Sequence, residues 1–355
     1  MILFIIVLGI ILFVAENYSM SHTLDQVEFT TSLDKVLVEP EEEFLWTMTV
    51  KNGKRFLVPY LKIREQVPEG LTFSDTGESV EESGGMGLSS VLYLAGRQKT
   101  ELVRRVSLKE RGRYFFRGSL VEAGDFLGIR ILLESYPELT ELVVKPRPYP
   151  GNELSLLLGG YLGEFPVEKS LFEDPILTMG FREYTGREPF CSISWTQSAR
   201  LGTLLVKQQE CMSDMTCTVL LNTECRAMKT PGPSLEKCFS MVRSVCEELE
   251  QKRIPYDFCT NGIIAGAMGN WRTVEEGLGA GHLSTILEGL GRMTYDCREE
   301  TVTFYSRILK GSRAGRSFLL VAPEQTEETE RFLLALEERS GRKALFLCAK
   351  EMEEA

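Results

Sequence analysis

Short runs of alternating or wholly apolar residues follow one another between Gln26 and about Pro148. Clear examples are residues 44–50, 56–63 and 139–144. Turn signals such as Asn52-Gly53 separate the runs. Many short runs that are separated by turn residues and lack a helical period predict strands rather than helices. We therefore expect an antiparallel, Ig-like β-sandwich over residues 21–148.

The pattern changes after Met215, where a strand-like run at 216–221 precedes an apolar stripe with helical spacing. The stripe consists of Leu235, Phe239, Val242, Cys246 and Leu249. Ser234 is the expected N-cap of this helix, and Pro255 ends it. A second strand is predicted at 256–260.

A second helical stripe follows this strand. It consists of Leu283, Ile286, Leu287, Leu290 and Met293. The chain then shows a strand at 317–321, a helix at 326–340 stopped by Gly341, and a strand at 343–348. Alternating strands and helices predict a largely parallel sheet covered on both faces, here over residues 213–355. Residues 149–212 form a connector between the two predicted domains.

The N-terminal residues 1–15 contain no polar side chain. As a helix this run would span about 22 Å, less than the ~30 Å hydrocarbon core of a bilayer. A cleaved signal peptide would carry a basic first region and a small-x-small cleavage site, which are not visible here. We interpret residues 1–20 as a short membrane anchor, with a cleaved signal or a buried segment as the alternatives.

Charge and cysteine content restrict the functional classes. The net charge of -11 argues against a nucleic-acid partner, which needs clustered basic residues. Residues 97–117 are a basic exception, which we interpret either as a solvated strand face or as a patch for a partner or a lipid headgroup. The nine cysteines include no C-x-x-C pair, so we expect reduced thiols and soluble domains in the cytoplasm.

Signatures of catalysis are scarce in the sequence. Only two histidines occur, and H-E-x-x-H, G-x-S-x-G and phosphate-loop motifs are missing. Acidic pairs such as Glu299-Glu300 are most simply solvated faces. We therefore expect no enzymatic activity and no cofactor.

Three segments, in the same order along the chain, resemble the bacterial family catalogued as domain of unknown function 58. The first combines Arg111-Gly-Arg-Tyr114 with Asp125-Phe-Leu-Gly128. The second and most specific contains Arg182, Glu183, Tyr184, Trp195, Ser198, Ala199 and Arg200. The third is the strand that ends at Asn222. Phe126 stands where that family usually has proline, and one apolar segment replaces its usual pair of membrane helices.

The resemblance implies a Rossmann-type, von Willebrand factor A-like domain over residues 213–355, attached to a membrane. It also implies a MoxR-type AAA+ ATPase as the protein partner. A metal-binding domain of this type needs D-x-S-x-S after its first strand, since these side chains supply oxygen ligands. The corresponding residues here are Asn222, Glu224 and Arg226, so we expect a degenerate site that binds no metal.

These observations favour a non-catalytic, membrane-associated scaffold or interaction protein. The alternative is a cell-envelope enzyme with an unrecognised carboxylate site. For the cluster from Arg182 to Arg200 two interpretations remain open. It is either the packed seam between the sandwich and the α/β domain or an exposed docking surface, because Trp, Tyr and Arg dominate interfaces.

Overall fold

The structure, a computed structural model, describes Val7 and residues 22–74, 86–124, 130–163, 178–184, 193–209, 216–225, 232–266 and 273–350. The predicted anchor over residues 1–20 lies outside this part of the chain, except for Val7. Within the described ranges, no helix combines the length and the apolar character needed to cross a bilayer.

The first half of the chain forms short strands, as its alternating pattern predicts. They are β1 (Val27–Leu33), β2 (Leu37–Val38), β3 (Phe44–Asn52), β4 (Val58–Gln66), β5 (Leu71–Phe73), β6 (Met86–Leu94), β7 (Lys99–Leu108), β8 (Gly112–Phe116), β9 (Ser119–Gly124), β10 (Ile131–Tyr136) and β11 (Thr140–Val144). In β3 every second residue from Phe44 to Asn52 is buried, as expected for a strand with one face on a core.

These strands form three packed sheets, with the orders β1-β3-β7-β5, β10-β9-β4-β6 and β2-β11-β8. One half of the first sheet packs on the second around Met48 and Ile63. Its other half packs on the third around Trp46 and Phe116. The pairs are antiparallel except for β2 with β11, where Val143 lies opposite Leu37 in a parallel arrangement. The predicted β-sandwich is therefore present, with one short parallel pair.

The second half mixes helices and strands. They are α1 (Glu153–Gly163), β12 (Thr178–Glu183), α2 (Trp195–Leu201), β13 (Leu205–Gln209), β14 (Cys217–Leu221), α3 (Gly232–Gln251), β15 (Tyr256–Thr260), β16 (Gly262–Ile264), β17 (Thr273–Gly277), α4 (Ala280–Arg292), β18 (Met293–Cys297), α5 (Thr301–Gly311), β19 (Ser317–Ala322), α6 (Glu327–Ser340) and β20 (Leu345–Cys348).

Five of these strands form a mixed sheet in the order β17-β15-β14-β19-β20. All neighbours pair in parallel except β15 and β17, which are antiparallel. Val219 and Leu221 of β14 face a core shared with α1, α3 and α4, whereas Leu220 faces a core shared with α5 and α6. Helices therefore cover the sheet on both faces, as the sequence pattern predicts.

The predicted helical stripe on α3 is confirmed, since all five of its apolar residues are buried. The predicted N-cap is wrong, because α3 begins at Gly232 and Ser234 lies inside the helix. Pro233 is compatible with this start, as proline lacks the N–H that is unpaired in a first helical turn. For α6 both ends are as predicted, with Thr326 as N-cap and Gly341 at a φ of 72° after the last turn.

Candidate functional site at the carboxyl edge of the mixed sheet

The carboxyl ends of β14 and β15 bring two buried asparagines together. Asn222 follows β14 and Asn261 follows β15. Nδ2 of Asn261 donates to Oδ1 of Asn222 at 2.7 Å, and Oδ1 of Asn261 accepts from the backbone nitrogen of Thr223 at 2.8 Å. Ligands of open α/β sheets bind outside the carboxyl ends of the strands, so a functional site is expected at this edge.

The N-terminus of α5 packs on the two asparagines. Oγ1 of Thr301 donates to Oδ1 of Asn222 at 3.2 Å, and the backbone nitrogen of Thr301 donates to Oε2 of Glu224 at 2.5 Å. A carboxylate is favourable here, because the first N–H groups of a helix lack intrahelical partners and the helix dipole is positive at this end. Glu224 therefore stabilises the start of α5.

Tyr305 extends the network to the other side of the edge. Its hydroxyl lies 3.1 Å from Oγ1 of Thr329, and Nδ2 of Asn222 donates to it at 3.4 Å. The ring stacks on Phe332 at a centroid distance of 4.0 Å. Burial raises the pKa of the Tyr305 hydroxyl, so it stays protonated and neutral.

Of the three residues predicted from D-x-S-x-S spacing, Asn222 and Glu224 both take part in this network. Oδ1 of Asn222 accepts hydrogen bonds from Asn261, from Thr301 and from the backbone nitrogen of Glu224 at 3.1 Å. A carbonyl oxygen has two lone pairs, so three donors leave none for a cation. Arg226 lies outside the described residues. The arrangement is a hydrogen-bond network rather than a set of cation ligands.

The residues of the Arg182 to Arg200 cluster form a separate unit from β12, α2 and β13. Arg182 and Glu183 pair with Val206 and Leu205 in the β12–β13 ladder. Tyr184 continues this pairing, since its backbone nitrogen donates to the carbonyl of Leu204 at 2.8 Å.

Ser198 connects α2 to the strands of this unit. Its Oγ donates to the carbonyl of Ser194 and accepts from the backbone nitrogen of Leu205, both at 2.8 Å. Trp195 is 63% exposed, and Ala199 and Arg200 are exposed too. Of the two interpretations, the packed seam does not fit Trp195, because α2 turns this side chain outward while Ser198 faces the strands.

The contacts that join the sandwich to the mixed-sheet half lie around Arg111. This side chain is 4% exposed. Its guanidinium binds Glu236 of α3 through Nε at 2.9 Å and through the terminal nitrogen NH2 at 2.6 Å. The other terminal nitrogen, NH1, donates to the carbonyls of Leu290 at 2.7 Å and Met293 at 2.8 Å. A residue of the Arg-Gly-x-Tyr motif thus binds both the start of α3 and the end of α4.

Gly291 allows α4 to approach β11 closely. A Cβ at this position would lie 2.5 Å from Cγ1 of Val143 and 2.8 Å from the carbonyl oxygen of Val144. Both distances are far below van der Waals contact, and the second involves backbone. Only glycine fits this crossing without a shift of one of the two halves.

Ion pairs surround this crossing. Glu141 accepts from Arg113 and, at 2.6 Å, from Arg292. Burial alone would raise the pKa of Glu141, but the two guanidinium groups outweigh it and hold the pKa below its usual range. Arg243 of α3 binds Glu39 at 2.5 Å and the carbonyl of Pro146 at 2.6 Å. These contacts, between residues up to 204 positions apart, fix the two halves together.

Another arginine of the basic stretch 97–117, Arg104, forms an ion pair within the sandwich and is 16% exposed. Arg104 forms an ion pair with Glu65, which is 1% exposed, and lies 5.2 Å from the ring centroid of Trp46. Burial raises the pKa of Glu65 against the opposing charge of Arg104. Arg104, Arg111 and Arg113 are thus engaged in ion pairs within the protein, whereas Arg97 and Arg105 of the same stretch are exposed.

No family model matches the chain, and no curated protein matches it. Among solved structures, a CARDB domain from Pyrococcus furiosus is 14% identical over 34% of this chain and 94% of its own, with a TM-score of 0.23. The sporulation control protein Spo0M from Bacillus subtilis is 14% identical over 45% of this chain and 58% of its own, with a TM-score of 0.23.

A cohesin module from Clostridium perfringens is 12% identical over 33% of this chain and 96% of its own, again with a TM-score of 0.23. Likenesses at these TM-scores show neither a shared activity nor a shared ligand.

Proposed function

We propose that this chain is a non-catalytic, membrane-associated interaction protein that works with a MoxR-type AAA+ ATPase. Residues 213–355 would be a von Willebrand factor A-like domain in which a hydrogen-bond network replaces the metal. Residues 1–20 would hold the protein at the membrane. The proposal rests on the resemblance of three motifs to one bacterial family and on the exposure of the most specific of them.

The exposed face of α2 carries the proposal. Trp195 and Arg200 of α2 are exposed, and so are Leu201 at the end of the helix and Leu204 in the segment that follows it. A large aromatic ring and a guanidinium next to aliphatic side chains are the residue types that contribute most to protein interfaces. Below them, Ile193 and Leu205 are buried and hold the unit together. We therefore assign the contact with the ATPase to this face of α2.

The network at the carboxyl edge supports a role without catalysis. Asn222, Asn261 and Thr301 are neutral side chains that satisfy one another, and Glu224 is engaged at the start of α5. A general acid or base needs a titratable group that can reach a substrate, and the groups of this network already bind each other. The strand order of the mixed sheet, with β14 at its centre, also agrees with the proposed domain type.

The test is binding of the purified AAA+ ATPase from the same organism to three single variants. Trp195→Ala and Arg200→Ala should leave the free energy of unfolding within about 0.5 kcal/mol of wild type. They should weaken ATPase binding by about tenfold or more. Leu334→Ala is the matched control, since Leu334 is also 63% exposed but lies on α6. It should change neither quantity.

Two results would contradict the proposal. The first is unchanged ATPase binding by both α2 variants. The second is a loss of about 3–5 kcal/mol of stability in Trp195→Ala, which is the size of a core truncation and would assign Trp195 to packing.

A further inference from the structure

One end of the sandwich gathers the β3–β4 loop (residues 53–57), the β6–β7 turn (residues 95–98) and the chain at His22 and Thr23. We name it the tether end. Nζ of Lys54 donates to the carbonyls of His22, at 2.6 Å, and of Thr23. Gly53 donates its backbone N–H to the carbonyl of Gln26 at 2.8 Å. The polypeptide therefore joins the sandwich directly beside the β3–β4 loop.

Buried polar contacts hold the tether end in one conformation. Asn52 is buried, and its Nδ2 donates to the carbonyls of Phe56 at 2.8 Å and Ala95 at 3.0 Å. A Cβ on Gly96 would lie 2.0 Å from the carbonyl oxygen of Arg55, so the turn and the loop touch through backbone. The loop and the turn thus present their side chains from a fixed surface.

The side chains presented there are one large aromatic ring and basic groups. Phe56 is 73% exposed at the tip of the loop. Arg55 precedes it in the loop and Arg97 lies in the adjoining turn; both are exposed, and no carboxylate of the described residues pairs with them. The backbone nitrogen of Arg97 donates to the carbonyl of Lys54 at 2.8 Å, which keeps the two arginines close.

The acidic residues at this end pair with other basic groups and do not neutralise the charges of Arg55 and Arg97. Glu28 pairs with Lys51 at 2.9 Å, and Glu101 pairs with Lys99 at 2.5 Å. Asp25 lies 3.9 Å from His22. Arg55 and Arg97 therefore keep an excess of positive charge around Phe56, on a protein whose net charge is -11.

Few residues lie between the apolar N-terminal run and the tether end. Seven residues, 16–22, separate residues 1–15 from Thr23. Fully extended, the eight residue steps from Ala15 to Thr23 span at most about 29 Å. If residues 1–15 lie in a membrane, the tether end cannot be farther than this from its surface.

We propose that the tether end docks on anionic lipid headgroups, with Phe56 among the headgroups and Arg55 and Arg97 at their phosphates. An aromatic ring flanked by basic side chains suits this interface, where apolar and charged groups meet. This inference rests on the membrane association in the proposed function. It adds a second membrane contact, which orients the protein rather than only holding it.

The test uses the full chain with Phe56→Trp, reconstituted into vesicles of phosphatidylcholine with or without phosphatidylglycerol. The signal is the emission spectrum of Phe56→Trp minus that of the wild type. With phosphatidylglycerol, this difference emission should shift to shorter wavelength and be quenched by brominated lipids. Adding Arg55→Glu and Arg97→Glu should abolish both effects. Leu139→Trp is the control, since Leu139 is 69% exposed near the opposite end of the strands, and it should show neither effect.

Flotation of the same vesicles separates the two proposals. Protein that does not float contradicts the membrane association itself. Protein that floats while the Phe56→Trp signal stays unshifted contradicts the docked tether end alone. An equal shift in vesicles without phosphatidylglycerol, or one that survives both charge reversals, contradicts the role of anionic headgroups.

Discussion

The guanidinium carbon of Arg111 lies 4.1 Å from the ring centroid of Phe239, across the boundary between the sandwich and the mixed-sheet half. The same guanidinium binds Glu236, which also accepts from the hydroxyl of Tyr295 at 2.8 Å. One arginine therefore combines an ion pair, carbonyl contacts and a cation–π contact. It is the most extensively bonded residue that we describe between the two halves.

Replacing Arg111 with Met should lower the free energy of unfolding by about 3–5 kcal/mol, because Glu236 and two helix-end carbonyls lose their donor. Urea denaturation measures this loss. Arg147→Met is the control, since Arg147 is half-exposed and pairs with Glu41 at 2.6 Å. A surface pair of this kind contributes about 0–1 kcal/mol. Equal losses in the two variants would rule out the structural role of Arg111.

Replacing Gly289 or Gly291 of α4 with alanine should change the free energy of unfolding in opposite directions. Gly291→Ala should destabilise by about 1–3 kcal/mol, because the new methyl group meets the backbone of Val144. At Gly289 the nearest atom to an added Cβ is Cδ1 of Ile264 at 3.8 Å, an ordinary contact. Gly289→Ala should therefore stabilise by up to about 1 kcal/mol through helix propensity. Thermal unfolding of both variants tests the pair, and two changes of the same sign would refute the close crossing.

Removing the partner of Glu65 should have a pH-dependent effect. The folded pKa of Glu65 is raised by burial, so its contribution to stability is present in full below the unfolded pKa, about 4.3, and is lost as pH rises through the folded value. Without the charge of Arg104 this pKa rises further. Arg104→Leu should thus cost about 3–5 kcal/mol at neutral pH and less at about pH 5. Urea denaturation at both pH values measures this, and a constant loss would contradict it.

Millimolar Mg²⁺ or Mn²⁺ should leave the melting temperature unchanged. A ligand that binds only the folded state stabilises it by mass action, so even weak binding becomes visible at saturation. The three hydrogen bonds on Oδ1 of Asn222 are the physical reason to expect no binding. Differential scanning fluorimetry with and without metal is the measurement. A rise that disappears in Glu224→Ala would restore a metal site at this edge.

The sequence predicts local elements well where one periodic signal dominates. The five apolar residues of α3 and both ends of α6 are confirmed because spacing and capping residues depend on near neighbours. Helix α5 is missed, since Glu299-Glu300 before it reads as a solvated face. In the structure Glu300 is the N-cap of this helix, and Phe304 and Ile308 are buried on its inner side.

Long-range contacts are not visible in the pattern. Arg111 and Glu236 are 125 positions apart, and the residues around each of them do not indicate that the two side chains pair. The Arg-Gly-x-Tyr motif singles out Arg111 in the sequence, but it does not identify the residue that Arg111 binds. The exposure of Trp195 is also unpredictable from residue type, because tryptophan is buried on average and only the orientation of α2 turns it outward.

Strand β7 connects the tether end at Lys99 with the junction side at Leu108, and β3 runs antiparallel beside it over the same length. Ten residues of strand cover about 33 Å. Tension between a membrane at one end and a pulling partner at the other would act along these strands. It would load the β3–β7 hydrogen bonds in shear, all together rather than one after another, because they lie perpendicular to the pull. Any load applied between these two ends would therefore be shared by the whole β3–β7 ladder.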